Sequence, residues 1–461
     1  MVFHCAKFVL LALLVLCLSS VCRAAGTNSL AWNADGSSVS ADIQGEALWP
    51  LLEDIAHQTG WHIFVEPRAS HVASVKFRDL PAGEALRKLL GKLNYALVPQ
   101  TNGPQQLYVF TTTMQNATQA VAAKPVAKAA PMKHVPNQLM VKLKPGISID
   151  LLAKERHARV VSRNDKLGIY LLEFDDATAA DSALAGLKAD PDVAAVDYNY
   201  IFDPPVAPQQ LASVPPGVSP VSLTLDPNTS TDPCTPIVGL IDTGVQSLGS
   251  QLNQFMLPGT NVTGDTTPLS STVLTHGTAM AQTILQAISR QSGSSSVRIY
   301  PVNVYGGGGE TATTWNVALG VQAAVDGGAS VLNMSLAGST DDPILNDILQ
   351  QAMARGVVVF AAAGNQPVDT PNYPAAIPGV NAVSALSAPG QLASYANYGS
   401  FVSMALPGSS IVYLGNQAYV VQGTSSATAY ASGIAAGTKS VNCVPWSQIE
   451  GAMQQKFPMP Q

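Results

Sequence analysis

Short, almost wholly apolar segments alternate with helical patterns across the last half of this 461-residue chain. The apolar segments are predicted strands, at Ile237–Ile241, Val297–Val304, Ser330–Ser335, Val357–Ala362 and Ala382–Ala385, and the helical patterns cover 276–289, 313–327 and 344–355. Strands without a polar face need cover on both sides, and strands that alternate with helices form a parallel sheet. We therefore expect an α/β domain over residues 232–461, with helices on both faces of its sheet.

The loop at Gln422–Ala427 places Ser425 where small residues run into a segment of helix-forming composition. A helix N-terminus favours developing negative charge, because its first N–H groups are free and its dipole is positive there. A serine is a weak nucleophile and needs an adjacent base, which in turn needs an orienting group. Asp242 at the end of a predicted strand and His276 at the start of a predicted helix are candidates for these two roles.

These residues stand in three motifs, Ile241-Asp242-Thr243-Gly244, His276-Gly277-Thr278 and Gly423-Thr424-Ser425-Ser426-Ala427. Together and in the order Asp, His, Ser, the motifs resemble those of the subtilisin-like serine peptidases, the subtilases. The resemblance implies peptide-bond hydrolysis by an Asp242, His276 and Ser425 triad through an acyl-enzyme. It also implies that the Asn365 side chain donates to the oxyanion. Residues implied to bind substrate are Ser335, Leu336, Ala337, Gly338, Ala363 and Gly364.

The chain departs from the subtilase pattern at several positions. Ala337 stands where the family usually has glycine, so we expect a narrower specificity pocket that disfavours bulky aromatic residues. Ala279 and Ala429 replace a histidine and a proline that carry no chemistry. Residues 290–296 lack the calcium loop familiar from subtilisin, so no calcium is expected there, and no cofactor or metal site is predicted. The paired acids Asp341-Asp342 are expected to be solvated.

The N-terminus has the features of an export signal. Lys7 precedes an apolar run at residues 8–21, and small residues follow it, which predicts a signal peptide over residues 1–25. The run is too short to cross a membrane as an anchor. Cys22 raises the alternative of a lipoprotein, but residues 19–21 fit a lipid-attachment signal poorly. We expect an exported protein, either periplasmic or secreted, without a transmembrane span.

Two cysteines remain outside the predicted signal peptide, Cys234 and Cys443, near the two ends of the predicted catalytic domain. An oxidising compartment permits a disulfide between them. The alternative is two unpaired, buried thiols.

Residues 28–113 form the first predicted folded unit. Two helical patterns, each rich in leucine, alternate with short strands, and the first helix ends at Thr59-Gly60 before the aromatic strand 61–65. This arrangement resembles the short N-terminal domain of secretins and TonB-dependent receptors, which implies a Gram-negative cell envelope and a protein contact. The alternative is a small α+β spacer that binds nothing. Three histidines in this unit lack the spacing of metal ligands, at positions 57, 62 and 71.

Three further segments separate this unit from the catalytic domain. An Ala/Pro linker is predicted at 114–133. Residues 134–203 have a β-α-β-β-α-β pattern and resemble the inhibitor-type propeptides of subtilases. The resemblance implies that this domain packs on the enzyme and leaves its last strand in the substrate cleft. Residues 204–231 are rich in proline and are predicted to be an exposed connector that contains the activation cleavage.

Charge narrows the choice of function. The net charge is −6 and no basic cluster is present, which excludes nucleic acid as a partner. We expect an exported serine endopeptidase, made as a self-inhibited precursor that processes itself, with residues 28–113 available to an envelope or secretion-system protein. The alternative is a non-catalytic envelope protein that binds through a peptidase-shaped domain. A sedolisin-type enzyme is a lesser alternative, since His276 argues against its acidic base.

Overall fold

A computed structural model describes residues 29–32, 38–98, 105–121, 133–211, 223–228, 234–306, 311–388 and 390–460. The predicted signal peptide and most of the predicted Ala/Pro linker lie outside these residues. By its internal contacts the chain divides into two units, Met1–Val126 and Ala127–Gln461. Within the described ranges, no helix combines the length and the apolar character that crossing a membrane requires.

The first unit is an α+β domain with two small sheets. Its elements are β1 Ser29–Trp32, β2 Ser38–Ala47, α1 Leu48–Thr59, β3 His62–Val65, β4 Val72–Pro81, α2 Ala82–Leu90, β5 Asn94–Val98, β6 Gln106–Phe110 and β7 Gln119–Val121. The strand orders are β1-β2-β4 and β5-β6-β3-β7. The leucines of both helices are fully buried in one core, as the helical spacing predicted. The predicted linker start at residue 114 is wrong, because β7 pairs with β3 and belongs to this domain.

The second unit begins with the domain predicted over 134–203. Its elements are β8 His134–Leu143, α3 Ile149–Glu155, β9 Arg159–Asn164, β10 Ile169–Glu173, α4 Ala177–Lys188 and β11 Val193–Phe202. The four strands form an antiparallel sheet in the order β11-β8-β10-β9. The predicted β-α-β-β-α-β layout is therefore confirmed.

The domain predicted over 232–461, called the catalytic domain below, contains the remaining elements apart from two short strands of the connector. Its strands are β14 Ile237–Asp242, β15 Thr260–Asn261, β16 Ser294–Ser295, β17 Arg298–Asn303, β18 Ala312–Thr313, β19 Val331–Met334, β20 Val358–Ala362, β21 Asn381–Ala388, β22 Gln391–Leu392, β23 Met404–Pro407, β24 Ser409–Leu414 and β25 Gln417–Gln422. Its helices are α5 His276–Ser289, α6 Thr314–Asp326, α7 Pro343–Ala354, α8 Thr424–Asn442 and α9 Trp446–Lys456.

The main sheet has the order β15-β17-β14-β19-β20-β21-β22, with β23 paired beside β21, and its central strands are parallel. One apolar core contains α5 and α8, and a second core contains α6 and α7. Successive side chains of β14 lie in different cores, Leu240 in the first and Ile241 in the second. The α/β fold with helices on both faces is confirmed, as are the two small α+β domains before it.

The predicted propeptide domain, called the prodomain below, packs against α6 and α7 through its sheet. Asn199 of β11 is only 2% exposed, and its side-chain oxygen accepts from the Trp315 N–H at the start of α6 at 3.1 Å. Lys166 extends this contact through an ion pair with Asp326, at the other end of the same helix. The prodomain thus satisfies a helix-terminal N–H group that would otherwise lack a partner.

Asp342 contradicts the prediction of a solvated pair of acids. It is 5% exposed and caps α7, accepting from the N–H groups of Ile344 and Leu345 at 2.8 and 2.7 Å. Its other carboxylate oxygen is buried without a hydrogen-bond partner among the described residues. Burial, with the nearby negative charges of Asp197 and Asp341, raises the pKa of Asp342 to about 7.

The predicted connector is not exposed throughout. Its first part includes β12 Gln209–Gln210, which pairs with β25. Its second part includes β13 Asp226–Pro227, which pairs with β16, and Leu225 is fully buried in the catalytic core. Main-chain pairing and an apolar anchor thus hold both described pieces of the connector on the catalytic domain.

The Sγ atoms of Cys234 and Cys443 are bonded, with their Cα atoms 5.5 Å apart and a sequence separation of 209. On the chain-entropy account a loop of this length contributes up to about 5 kcal/mol to stability. We predict that replacing both cysteines by serine lowers the unfolding midpoint in a thermal or denaturant titration. Wild-type protein unfolded with reductant should match the variant, and an unchanged midpoint would contradict the prediction.

Asp342 predicts a pH-dependent stability. Its pKa is raised from 3.8 to about 7, so the folded chain retains a proton that the unfolded chain releases between those values. Raising the pH through this window therefore lowers the free energy of unfolding. Asparagine caps a helix as well as aspartate but carries no charge. In denaturant titrations, we compare the free energy of unfolding of Asp342→Asn with that of wild type at two pH values. The difference in favour of the variant should be roughly 2 to 4 kcal/mol larger at pH 8 than at pH 4.

The matched control for this measurement is Asp341→Asn, because Asp341 is its exposed neighbour. Both variants are made on a Ser425→Ala background, so that peptidase activity does not alter the samples. Equal pH profiles for wild type and Asp342→Asn would show that the buried carboxylate has no such effect.

Candidate active site

Asp242 and His276 meet at the carboxyl end of β14. Asp242 is the last residue of that strand and is 1% exposed, while His276 is the first residue of α5. The histidine Nδ1 lies 2.8 Å from Asp242 Oδ1 and 3.0 Å from Oδ2. The Thr243 N–H also donates to Oδ1 at 2.7 Å, which holds the carboxylate in place. Since Nδ1 faces the carboxylate, Nε2 is the imidazole nitrogen left for proton transfer.

Glycine at position 277 is required by the close approach of α5 to the end of β14. A Cβ added there would lie 2.2 Å from the Thr243 carbonyl oxygen, far inside contact distance. The Gly277 N–H donates to Thr243 Oγ1 at 2.7 Å, so strand and helix are joined directly beside the His276 and Asp242 pair. The Thr275 hydroxyl caps the helix by accepting from the Thr278 N–H.

Ser425 is the second residue of α8, as the junction of small residues and helical composition predicted. Gly423 before it has φ 143°, a conformation that residues with a side chain rarely adopt. The Ser425 hydroxyl donates to the Ser335 carbonyl oxygen at 3.2 Å, and the Ser335 hydroxyl donates to the Ser425 carbonyl oxygen at 3.2 Å. The hydroxyl proton therefore faces Ser335, and no hydrogen bond joins Ser425 to His276 among the described residues.

Asn365 is oriented by the residue before the serine. Its Oδ1 accepts from the Thr424 N–H at 2.8 Å and from the Thr424 hydroxyl at 3.1 Å. With the oxygen held in this way, the Nδ2 donor is not hydrogen-bonded to any described residue. The side chain is exposed and lines the same cavity as Ser425, which leaves this donor available to a ligand there.

A cavity of about 350 Å³ contains Ser425 and Asn365 together with most of the predicted substrate-binding residues. Those that line it are Ser335, Leu336, Ala337, Gly338 and Gly364. Ala363 does not line it and is fully buried, so its predicted contact with substrate is wrong. Its N–H donates to the Val383 oxygen, and its own carbonyl accepts from Asn372 Nδ2. Both main-chain groups of Ala363 are therefore already occupied.

Asn372 and Tyr305 are among the residues of this cavity that were not singled out from the sequence. Asn372 precedes Tyr373, whose main chain pairs in both directions with Gly338 at 2.7 and 2.8 Å. Tyr305 is 6% exposed, and burial together with the charges of Asp242 and Asp203 raises the pKa of its hydroxyl. The sequence signal for Tyr305 was its position directly before a run of glycines. Residues 307–309 of that run, predicted to form an edge of the cleft, lie outside the described residues.

The last two domains of the chain are similar to known proteins. A sequence profile of the subtilase family matches residues 235–456, and a profile of the fervidolysin N-terminal prodomain matches residues 117–199. Subtilisin E of Bacillus subtilis (strain 168) is 32% identical over 271 residues, 56% of this chain and 68% of that protein. Thermitase of Thermoactinomyces vulgaris is 34% identical over 206 residues, 43% of this chain and 72% of that protein.

Among solved structures, fervidolysin from Fervidobacterium pennivorans, described as a keratinolytic enzyme related to subtilisin, has a TM-score of 0.55 with 20% sequence identity. The match covers 70% of this chain and 57% of fervidolysin, so it shows a shared fold over just over half of that protein. The family itself is shown by the sequence profile and by the 32% identity to subtilisin E. This chain belongs to the subtilase family and is a subtilisin-like serine peptidase with a fervidolysin-like prodomain.

Proposed function

We propose that this chain is an exported serine endopeptidase, made as a precursor that its own prodomain inhibits and that matures by its own cleavage. The buried hydrogen bond between His276 and Asp242 carries the proposal, because an oriented imidazole is what converts a serine hydroxyl into a nucleophile. The cavity that contains Ser425 and Asn365 supports it, since it provides room for a peptide beside the hydroxyl.

The proposed reaction assigns each of these residues a role. Ser425 Oγ attacks the carbonyl carbon of the substrate while His276 Nε2 takes the hydroxyl proton, and Asp242 stabilises the imidazolium that forms. The tetrahedral oxyanion accepts from Asn365 Nδ2 and from the Ser425 N–H, a first-turn amide of α8 without an intrahelical acceptor. His276 then gives its proton to the leaving amine, and water hydrolyses the acyl-enzyme by the same route in reverse.

Residues 28–113 are proposed to make a protein contact at the cell envelope, as their resemblance to the secretin and TonB-receptor domain implies. The predicted signal peptide and the Cys234–Cys443 bond both support export to an oxidising compartment. The competing proposal, a binding protein without catalysis, is weaker. A binding protein without catalysis would not need the hydrogen bonds that orient His276 and Asn365.

We predict that Asn365→Ala lowers kcat by about 100- to 1000-fold with little change in KM, because the donor acts on the oxyanion and not on the ground state. The magnitude is that of subtilisin, the reference case for this effect. Asn365→Asp is the matched variant, since it keeps the oxygen that Thr424 binds but replaces the donor with an acceptor, and it should lose at least as much. Activity within twofold of wild type in a peptide hydrolysis assay would contradict the oxyanion role.

Ser425→Ala should abolish maturation. Intact masses of purified wild-type precursor should show a cut within residues 199–233 after incubation, and the Ser425→Ala precursor should stay whole. A fluorophosphonate probe should label the matured wild type but not the variant. A folded wild type that neither matures nor reacts with the probe, with or without its prodomain, would favour the binding-protein alternative.

A further inference from the structure

The segment between the prodomain and the catalytic domain crosses the mouth of the active site. Before and after this crossing, its main chain pairs with a strand of the catalytic domain. On one side, Ile201 and Phe202 pair antiparallel with Thr313 and Ala312 of β18. On the other side, Gln209 and Gln210 pair antiparallel with Val420 and Tyr419 of β25. Two further bonds extend the second pairing, from the Leu211 N–H to the Ala418 oxygen and from Gln417 Nε2 to the Leu211 oxygen. We call the six residues between these pairings, 203–208, the strap.

The strap passes the catalytic groups in order along the chain. Its residues 203–206 line the cavity that contains Ser425 and Asn365. Pro205, Ala207 and Pro208 line a second cavity, of about 170 Å³, that contains His276. Among the described residues of the strap, Pro205 alone lines both cavities. Pro205 therefore lies where the strap passes from the cavity of Ser425 to the cavity of His276.

This arrangement is that of an extended peptide substrate. An added strand gains affinity from main-chain hydrogen bonds along an exposed edge, and the strap is held by two such edges, β18 and β25. The side chain of Phe202 is buried against the second core of the catalytic domain at 4% exposure, which anchors the entry to the strap. The Tyr305 hydroxyl lies 3.5 Å from the Asp203 carbonyl oxygen in the cleft itself.

Proline occupies three of the six positions of the strap, Pro204, Pro205 and Pro208. The two bonds that involve Pro205 are Pro204–Pro205 and Pro205–Val206. In the first, the leaving nitrogen belongs to a ring and carries no hydrogen. In the second, the acyl residue has its φ restricted near −65° and has no N–H for an edge strand. At either bond, Pro205 therefore lacks the φ and the N–H group of a residue in a paired, extended strand.

We propose that the strap is a substrate-like inhibitor segment whose prolines at 204 and 205 prevent Ser425 from cutting it where it lies. The proposal rests on the proposed function. It adds which segment fills the cleft, and why that segment is not cut there. The first cut of the wild-type precursor accordingly falls outside residues 203–208. Once the strap leaves, the edges of β18 and β25 accept the main chain of a polypeptide substrate on both sides of its scissile bond.

The test compares wild type with Pro204→Ala, Pro205→Ala and the double variant by intact-mass analysis of the full precursor. Cutting forms an ester between Ser425 Oγ and the carbonyl carbon as the C–N bond breaks, and His276 supplies the leaving nitrogen with its proton. The double variant should yield fragments that end within residues 203–208, and the wild type should not. The same double variant with Ser425→Ala should stay whole, which shows that the cut is made by this serine.

A synthetic peptide of residues 199–211 gives a second measurement that does not depend on the folding of a variant. With matured enzyme, the native peptide should compete with a chromogenic substrate and survive, whereas the peptide with alanine at 204 and 205 should be hydrolysed. A wild-type cut within 203–208, or survival of both peptides beside an enzyme that a fluorophosphonate labels, would overturn the proposal. Absence of probe labelling on the matured enzyme would instead refute the proposed function.

Discussion

The approach of α5 to the end of β14 is the contact on which the rest of the site depends. A carboxylate as buried as that of Asp242 is costly unless it is hydrogen-bonded, and the Thr243 N–H and the His276 ring both satisfy it. Their bonds require the first turn of α5 to lie against Thr243, which only glycine at 277 permits. One steric requirement in the motif thus places the proposed base and fixes which ring nitrogen faces the acid.

The parallel sheet explains why residues far apart in the chain reach the same place. Asp242 ends β14, Ser335 follows β19, and Asn365 follows β20 by a short turn, so all three emerge at the carboxyl edge of neighbouring strands. The start of α8 then lies against this edge through the reciprocal bonds between Ser425 and Ser335. Asn365 and Thr424 complete the connection, so the proposed oxyanion donor and the proposed nucleophile are positioned by a single small network.

The prodomain combines favourable and unfavourable contacts with the catalytic domain. Asn199 satisfies an N–H group at the start of α6, which a departing prodomain would leave to water. Asp197 on the same strand adds to the negative charge around Asp342, which is already disfavoured by burial. An interface of this kind suits a temporary inhibitor, because it is specific in geometry without being as stable as a fully complementary one.

The sequence by itself determined the local elements and pointed to the candidate catalytic groups. Apolar strands, helical periodicity and small residues at turns are local patterns, so the α/β layout, the ferredoxin-like prodomain and the positions of Asp242, His276 and Ser425 on their elements could be predicted. Tertiary structure decided whatever depends on neighbours distant in sequence. Asp342 is buried because α7 packs beside the prodomain, and Ala363 lies behind the cleft because β21 and Asn372 take its main-chain groups. The described start of the connector is held on the catalytic domain because β25 offers it an edge. Burial and edge pairing arise only when separate segments meet, and no local pattern encodes them.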